Sequence, residues 1–259
     1  MMRAKIFSWL WVAIVVAFLF APVVVVVLFS FNATSSTSLP FAGFSTRWYH
    51  AAFEDELFVD ALKNSLVVAA VTMAFVAFVG TNAAFALSRR PSRLLNVFSA
   101  LVTAPLIVPG LFLAVALLSF YDEIDMRRSL TTVMIGHALV TLPFVVLIVN
   151  ARLARLDPSI AEASRDLGAT AWQSFRKITF PLVRPALIGS ILIAVAWSFD
   201  EFIITFFTIG PKLTLPILIW GKLRLGIDPS VNAIASVILA TTIGVTILAG
   251  RFISARDVA

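Results

Sequence analysis

The stretch Phe7–Phe31, FSWLWVAIVVAFLFAPVVVVVLFSF, runs its whole length without Asp, Glu, Lys or Arg. A helix that crosses a bilayer needs roughly 20 apolar residues, because the hydrocarbon core is about 30 Å thick and the helix rises about 1.5 Å per residue. A helix apolar on every side is either deeply buried in a large core or embedded in lipid. The run also exceeds the roughly 7–15 residues of a signal-peptide core, and no small-x-small cleavage site follows promptly. It reads as an uncleaved membrane anchor.

The surrounding chain has the composition to match. Of its 259 residues, 60% are hydrophobic and 13% charged, and the mean hydropathy is +1.00. A soluble domain is nearer 45–50% apolar and about 25% charged, so this chain lacks the polar residues to cover a water-exposed surface. The absence of cysteine excludes disulfides, thiolate metal sites and cysteine nucleophiles. Further runs of spanning length lie at 64–88, 94–121, 129–151, 185–211 and 229–250, the fifth span overall (185–211) being interrupted only by Asp200 and Glu201. The expected fold is therefore all-α: a polytopic membrane protein with six transmembrane helices in a single transmembrane domain over residues 1–259. Leu213–Trp220 is apolar but too short to cross and reads as an interfacial or re-entrant piece.

Orientation follows from the loop charges. An even number of spans puts both termini on one side. Arg47, Lys63, Arg127, Arg128, Lys212, Lys222 and Arg224 fall on the other side, leaving thirteen of the 20 Lys and Arg with the termini. The poorer side also carries acids, among them Glu54, Asp55, Glu56, Asp60, Asp122 and Asp228. Lys and Arg concentrate in cytoplasmic loops, so both termini are expected in the cytoplasm. The formal charge of +6 is thereby a topological signal rather than a nucleic-acid footprint. Pro105, Pro109-Gly110 and Pro143 mark bent spans, either for packing or as the wall of a translocation path. No internal repeat points to an inverted-repeat transporter. Asn32-Ala33-Thr34 forms a glycosylation sequon of the kind that arises by chance.

The connection from Arg152 to Arg184 is longer than two spans require, and its chemistry is ordered. Asp157 is a candidate N-cap with Pro158 at the first helical position, and Ser159 with Glu162 is an alternative capping box. Gly168 is a candidate left-handed stop. Thr170 and Gln173 offer a second capping box, opening a helix with Trp172, Phe175 and Ile178 at spacing three that is expected to end at Pro181. Two short helices around a glycine elbow result. The residues alone allow two uses: an amphipathic hairpin lying on lipid headgroups through Arg176 and Lys177, or a docking element for a cytoplasmic partner.

Glu162-Ala163-Ser164, a glycine at Gly168, then Ile178 and Pro181 resemble the EAA loop of the membrane subunits of bacterial ABC importers. Ser164 stands where that pattern usually has alanine. Arg47-Trp48-Tyr49, Asn64-Ser65-Leu66, Ser198-Phe199-Asp200-Glu201-Phe202, Gly226-Ile227-Asp228-Pro229 and Val231-Asn232-Ala233 extend the likeness, which is greatest to the PotC-like group of spermidine/putrescine permeases. The resemblance implies that Glu162, Ala163, Ser164, Gly168, Ile178 and Pro181 couple the chain to an ATPase. It also implies two ABC ATPase subunits, a second, PotB-like permease, a periplasmic solute-binding protein and an inner-membrane location. The chain has no Gly-x-x-x-x-Gly-Lys-Ser/Thr loop, so ATP is expected on a partner subunit and no cofactor on this one. Other solutes handled by this kind of permease are opines, amino-acid-like compounds and ferric iron.

Asp200 and Glu201 fall about halfway along the expected fifth span. An ionised group at mid-bilayer costs roughly 2.5–3.5 kcal/mol on insertion scales, so it faces a cavity or a partner. The pair reads either as an electronegative station for a cationic solute, with Trp197 nearby to stack on it, or as structural acids bonded to a helix end or to His137. His137 has no second His or Cys at metal-ligand spacing and reads as a packing residue; no metal is expected. An intramembrane enzyme finds no Gly-x-Ser-x-Gly or His-Glu-x-x-His here. A self-sufficient secondary transporter would leave the capped loop at 152–184 without a use.

Overall fold

The computed structural model describes residues 2–35, 41–89, 92–225 and 229–254. Gly226-Ile227-Asp228 of the motif above, and Arg90 and Arg256 of the charge count, lie outside the described residues. The chain divides into two compact units, Met1–Val59 with Leu218–Val245 and Asp60–Ile217 with Thr246–Ala259. Described residues are overwhelmingly helical. A lone antiparallel bridge joins Asn32 to Phe44.

In the first unit α1 (Met2–Ser30) covers the opening apolar run, and none of its residues from Phe7 to Phe29 is buried inside the chain. The chain then turns on Asn32. Its side-chain oxygen accepts the Ala42 N–H at 3.1 Å, and its carbonyl accepts the Trp48 indole N–H at 2.8 Å. Asn32 is thus buried at 1% exposure, which leaves the sequon without an accessible acceptor. Tyr49 adds a hydroxyl contact to Ser30 at 2.7 Å and packs on Phe31. Trp48 and Tyr49 therefore clamp the end of α1 from the start of α2 (Arg47–Glu54). Asp55 follows as its C-cap and forms an ion pair of 2.9 Å with Lys222.

The second unit is built on α3 (Glu56–Arg89), α6 (Leu130–Leu153) and α9 (Phe180–Asp200). Val76, Ala84, Val145, Val149 and Val183 form one core between them. A second core joins Ala114, Leu117 and Tyr121 of α5 (Gly110–Glu123) to Val140 and to Ile204 of α10 (Ile203–Thr208). Between α4 (Arg93–Thr103) and α5 the chain makes a 105° bend through a 3₁₀ turn at Ala104–Leu106. Pro105 sits inside that turn and Pro109 caps α5, so the prolines that marked the third expected span locate its bend.

By length and composition, four described helical stretches can cross a membrane: Phe7–Ser30, Glu56–Ser88, Leu130–Leu153 and Ala171–Asp200. The apolar pair Arg93–Leu106 and Gly110–Glu123, bent by 105°, is either a broken fifth span or a re-entrant loop. The sixth expected span falls on α12 (Ser230–Ser254). Of the short apolar piece at 213–220, Leu215–Trp220 becomes the first part of α11 (Leu215–Leu225), a helix of 11 residues.

Two expectations are corrected. The helix after Thr170 does not end at Pro181. It passes from α8 (Ala171–Ser174) through a π turn at Phe175–Thr179 directly into α9. In that turn the Phe180 N–H reaches the Phe175 carbonyl, five residues back. The widened turn relieves the clash that a proline ring makes with the carbonyl four residues before it, and the helix continues. The fifth span, in turn, does not run through 185–211. Its helix stops at Asp200, Glu201 is extended at φ −69° and ψ 112°, and α10 begins at Ile203. The two acids stand at a helix break rather than halfway along a continuous helix.

Candidate functional site

The hairpin at 152–184 is organised by local chemistry. The Asp157 carboxylate accepts the Ser159 N–H at 2.9 Å, with Pro158 in the first turn of α7 (Pro158–Asp166). That backbone hydrogen bond holds the carboxyl below the usual carboxylate range. At the other end Gly168 has φ +84°. The Ala169 N–H bonds the Ser164 carbonyl at 3.1 Å and the Gly168 N–H bonds the Arg165 carbonyl at 2.9 Å, which together make a Schellman stop. Thr170 and Gln173 then form a reciprocal capping box for α8.

Two contacts close the hairpin on itself and one ties it to α3. Ser164 and Ser174 share a buried hydroxyl–hydroxyl bond of 2.8 Å. Phe175 packs edge-on against Phe85 at 5.2 Å, tying the hairpin to the end of α3. The Arg152 Nε–H donates to the Leu182 carbonyl at 3.0 Å, joining the end of α6 to the start of α9. Sequence reasoning picked out Ser164 and Phe175 but missed Ser174, Arg152 and Phe85, whose partners are remote in the chain. Beneath the hairpin lies a cavity of about 650 Å³ lined by Phe85, Leu156, Glu162, Arg165, Phe175 and Ile178, among others. Glu162, Ala163, Gly168 and Pro181 are exposed, Ile178 is half-buried, and the apolar side chains of Leu167 and Trp172 are 89% and 65% exposed. A hairpin that shows such groups from a rigid base offers a projecting knob.

At the helix break Glu201 and Asp200 are in different situations. The Glu201 carboxylate accepts the Ile204 N–H at 2.7 Å and so caps α10, while its carbonyl accepts the Thr205 hydroxyl at 2.9 Å. The Asp200 side chain is exposed and has no hydrogen bond or ion pair among the described residues. Trp197 is half-buried against the α5–α6–α10 core and stands edge-on to His137 at 5.9 Å. His137 bonds neither acid. It is 1% exposed, with Nδ1 2.8 Å from the Ser198 hydroxyl and Nε2 2.9 Å from the Thr205 hydroxyl.

Asn64 and Ser65 also acquire partners. The Asn64 amide donates to the Leu213 carbonyl at 2.8 Å, and the Ser65 hydroxyl accepts the Leu215 N–H at 2.8 Å, fixing the start of α11.

Residues 77–256 match the family described as binding-protein-dependent transport system inner membrane component. The chain is 34% identical over 247 residues to the putrescine transport system permease protein PotI of Escherichia coli (strain K12), covering 92% of this chain and 87% of that one. It is 30% identical over 242 residues to the spermidine/putrescine transport system permease protein PotC of the same strain, covering 93% and 90%. Among solved structures it superposes on a chain of the bacterial alginate ABC transporter in complex with alginate pentasaccharide-bound periplasmic protein with a TM-score of 0.73 at 15% identity, covering 99% of this chain and 96% of that one. The inward-facing MetNI methionine ABC transporter gives a TM-score of 0.64 at 21% identity, covering 77% and 95%. These two likenesses establish a shared fold.

Proposed function

The chain belongs to the family of binding-protein-dependent transport system inner membrane components, and from that premise we propose that it is one of two permease subunits of an ATP-binding-cassette importer for polyamines. The observation that carries the solute class is the alignment of two E. coli permeases, named for putrescine and for spermidine/putrescine transport, along almost all of this chain. In this reading the whole chain is one permease domain with six spans and both termini in the cytoplasm. A periplasmic binding protein delivers the solute, a PotB-like permease supplies the other half of the path, and two ATPase subunits bind and hydrolyse the ATP.

The hairpin at 152–184 is the element that engages an ATPase. Support comes from its rigid base and from the exposed Leu167 and Trp172 at its tip, apolar groups that a protein partner can cover. The helix that leaves the hairpin is continuous from Ala171 to Asp200, so a displacement of the knob is delivered to the helix break without an intervening loop. Asp200 is the candidate station for an ammonium group, because Glu201 is already engaged as a cap.

Affinity purification of the tagged chain from its own host tests the assembly. An ATPase subunit and a second permease are expected to co-purify, and putrescine- or spermidine-loaded binding protein is expected to stimulate ATP hydrolysis. A chain that purifies without an ATPase, or a complex that responds only to a non-cationic solute, contradicts the proposal.

A further inference from the structure

Four polar groups around the break at 200–202 form one chain of hydrogen bonds. Ser198 lies in the last turn of α9, Thr205 in the first turn of α10, and the imidazole of His137 on α6 touches both hydroxyls, at 2.8 and 2.9 Å. Thr205 has one hydroxyl proton, and it goes to the Glu201 carbonyl at 2.9 Å. Thr205 must then accept from Nε2–H, and Nδ1, left with its lone pair, accepts the Ser198 proton. Every donor in this sequence has one acceptor. The arrangement is buried, since Ser198, Thr205 and His137 are 5%, 1% and 1% exposed. A helix cap or a packing contact needs only one element; this network spans the break and fixes both of its ends to a third helix.

We propose that His137 is a positioning residue for solute passage: by holding Ser198 and Thr205 at a set separation it determines where the carboxylate of Asp200, two residues from one anchor and exposed, stands toward the solute. This rests on the reading of Asp200 as the ammonium station. An imidazole suits the task because it is rigid and presents two nitrogens in opposite directions, one donor and one acceptor, whereas a flexible side chain would let the break open and close around Asp200. His137 acts through Asp200 and need not touch the solute.

The test is ATP-driven uptake of labelled putrescine by the complete complex in proteoliposomes. The variants are Thr205→Val, Thr205→Ser, Asp200→Asn, and Thr205→Val combined with Asp200→Asn. Thr205→Val and Asp200→Asn are each expected to lower uptake several-fold, and Thr205→Ser, which returns the hydroxyl, to recover it. The double variant is expected to be no slower than the slower single one, because the clamp has nothing left to position once the charge is gone. Losses that multiply in the double variant, or normal uptake by Thr205→Val beside an impaired Asp200→Asn, overturn the positioning role alone. Normal uptake by Asp200→Asn overturns the reading of Asp200 and this inference with it. Should Thr205→Val not assemble, Ser198→Ala opens the other end of the clamp and is read by the same criteria.

Discussion

The hydroxyls of Ser164 and Ser174 meet at 2.8 Å between α7 and α8 of the hairpin, and Ser164 is only 8% exposed. Ser164 also donates to the Ala161 carbonyl within its own helix at 2.9 Å. The residue that departs from the usual alanine of the EAA pattern therefore fastens the hairpin. Ser164→Ala removes both hydrogen bonds, at about 1 kcal/mol each, and is expected to keep ATPase association. Ser164→Leu forces a larger side chain between the helices, at about 1–3 kcal/mol, and is expected to splay the hairpin. Co-purification of the ATPase with each variant distinguishes the two outcomes.

Gly168 yields the next expectation. A Cβ there meets nothing within 4 Å, so the cost of a side chain comes from its φ of +84° alone. That cost is about 1 kcal/mol, too small to unfold the membrane bundle. Gly168→Asp is expected to reach the membrane in normal amount and to lose ATPase association or coupled uptake, because the stop that aims the second helix is disturbed. Normal uptake at normal expression would show that the elbow geometry is dispensable.

The close approach of Gly210 to the Arg128 backbone predicts a structural rather than a functional loss. A Cβ on Gly210 would run into the Arg128 carbonyl oxygen, a backbone atom that cannot swing aside. The Thr132 hydroxyl ties the same region together by donating to the Thr208 carbonyl at 2.7 Å. Gly210→Ala is expected to lower the thermal stability of the purified complex by more than Gly189→Ala, where a Cβ meets open space. Equal melting temperatures for the two variants would refute the contact.

How much of this was legible in the chain follows from how local each signal is. Asp157, Gly168, Thr170 and Gln173 act on backbone groups within a few residues, so their caps and stop could be read directly. Pro105 and Pro109 announced the bend between α4 and α5, because a missing N–H acts on its own helix. Pro181 misled because a π turn at Phe175–Thr179 carries the helix past it, and no capping or stop residue announces that turn. The break after Asp200 was hidden inside an apolar run, since composition does not record that Glu201 turns to cap α10. His137 read as a packing residue and a possible partner of the acids, but its bonds to Ser198 and Thr205 join three helices and acquire meaning only when the helices pack. The Asn64 and Ser65 bonds to Leu213 and Leu215 cross about 150 residues and were invisible for the same reason.

The Asp55–Lys222 pair predicts a pH dependence. The hydrogen bond from Lys222 holds the Asp55 carboxyl below its ordinary range. A carboxyl whose folded pKa is depressed contributes stability that is fully present above its unfolded value, about 3.9, and is lost as pH falls through the lower folded value. With side chains 20% and 27% exposed the pair is worth about 1 kcal/mol or less. Asp55→Asn is expected to lower the melting temperature slightly at pH 7 and to reduce the further loss on acidification below about pH 4. A variant that melts like the parent at pH 7 would show the pair to be idle.

The polyamine reading is decided by what the assembled complex moves. The direct measurement is uptake of labelled putrescine into proteoliposomes containing this chain, its partner permease and the ATPase, with polyamine-loaded binding protein outside and ATP within. Uptake is expected to require ATP and this chain, to be competed by unlabelled spermidine, and to fall several-fold with Asp200→Asn while solute-independent ATP hydrolysis persists. An intact complex that hydrolyses ATP yet carries no polyamine would contradict the polyamine reading.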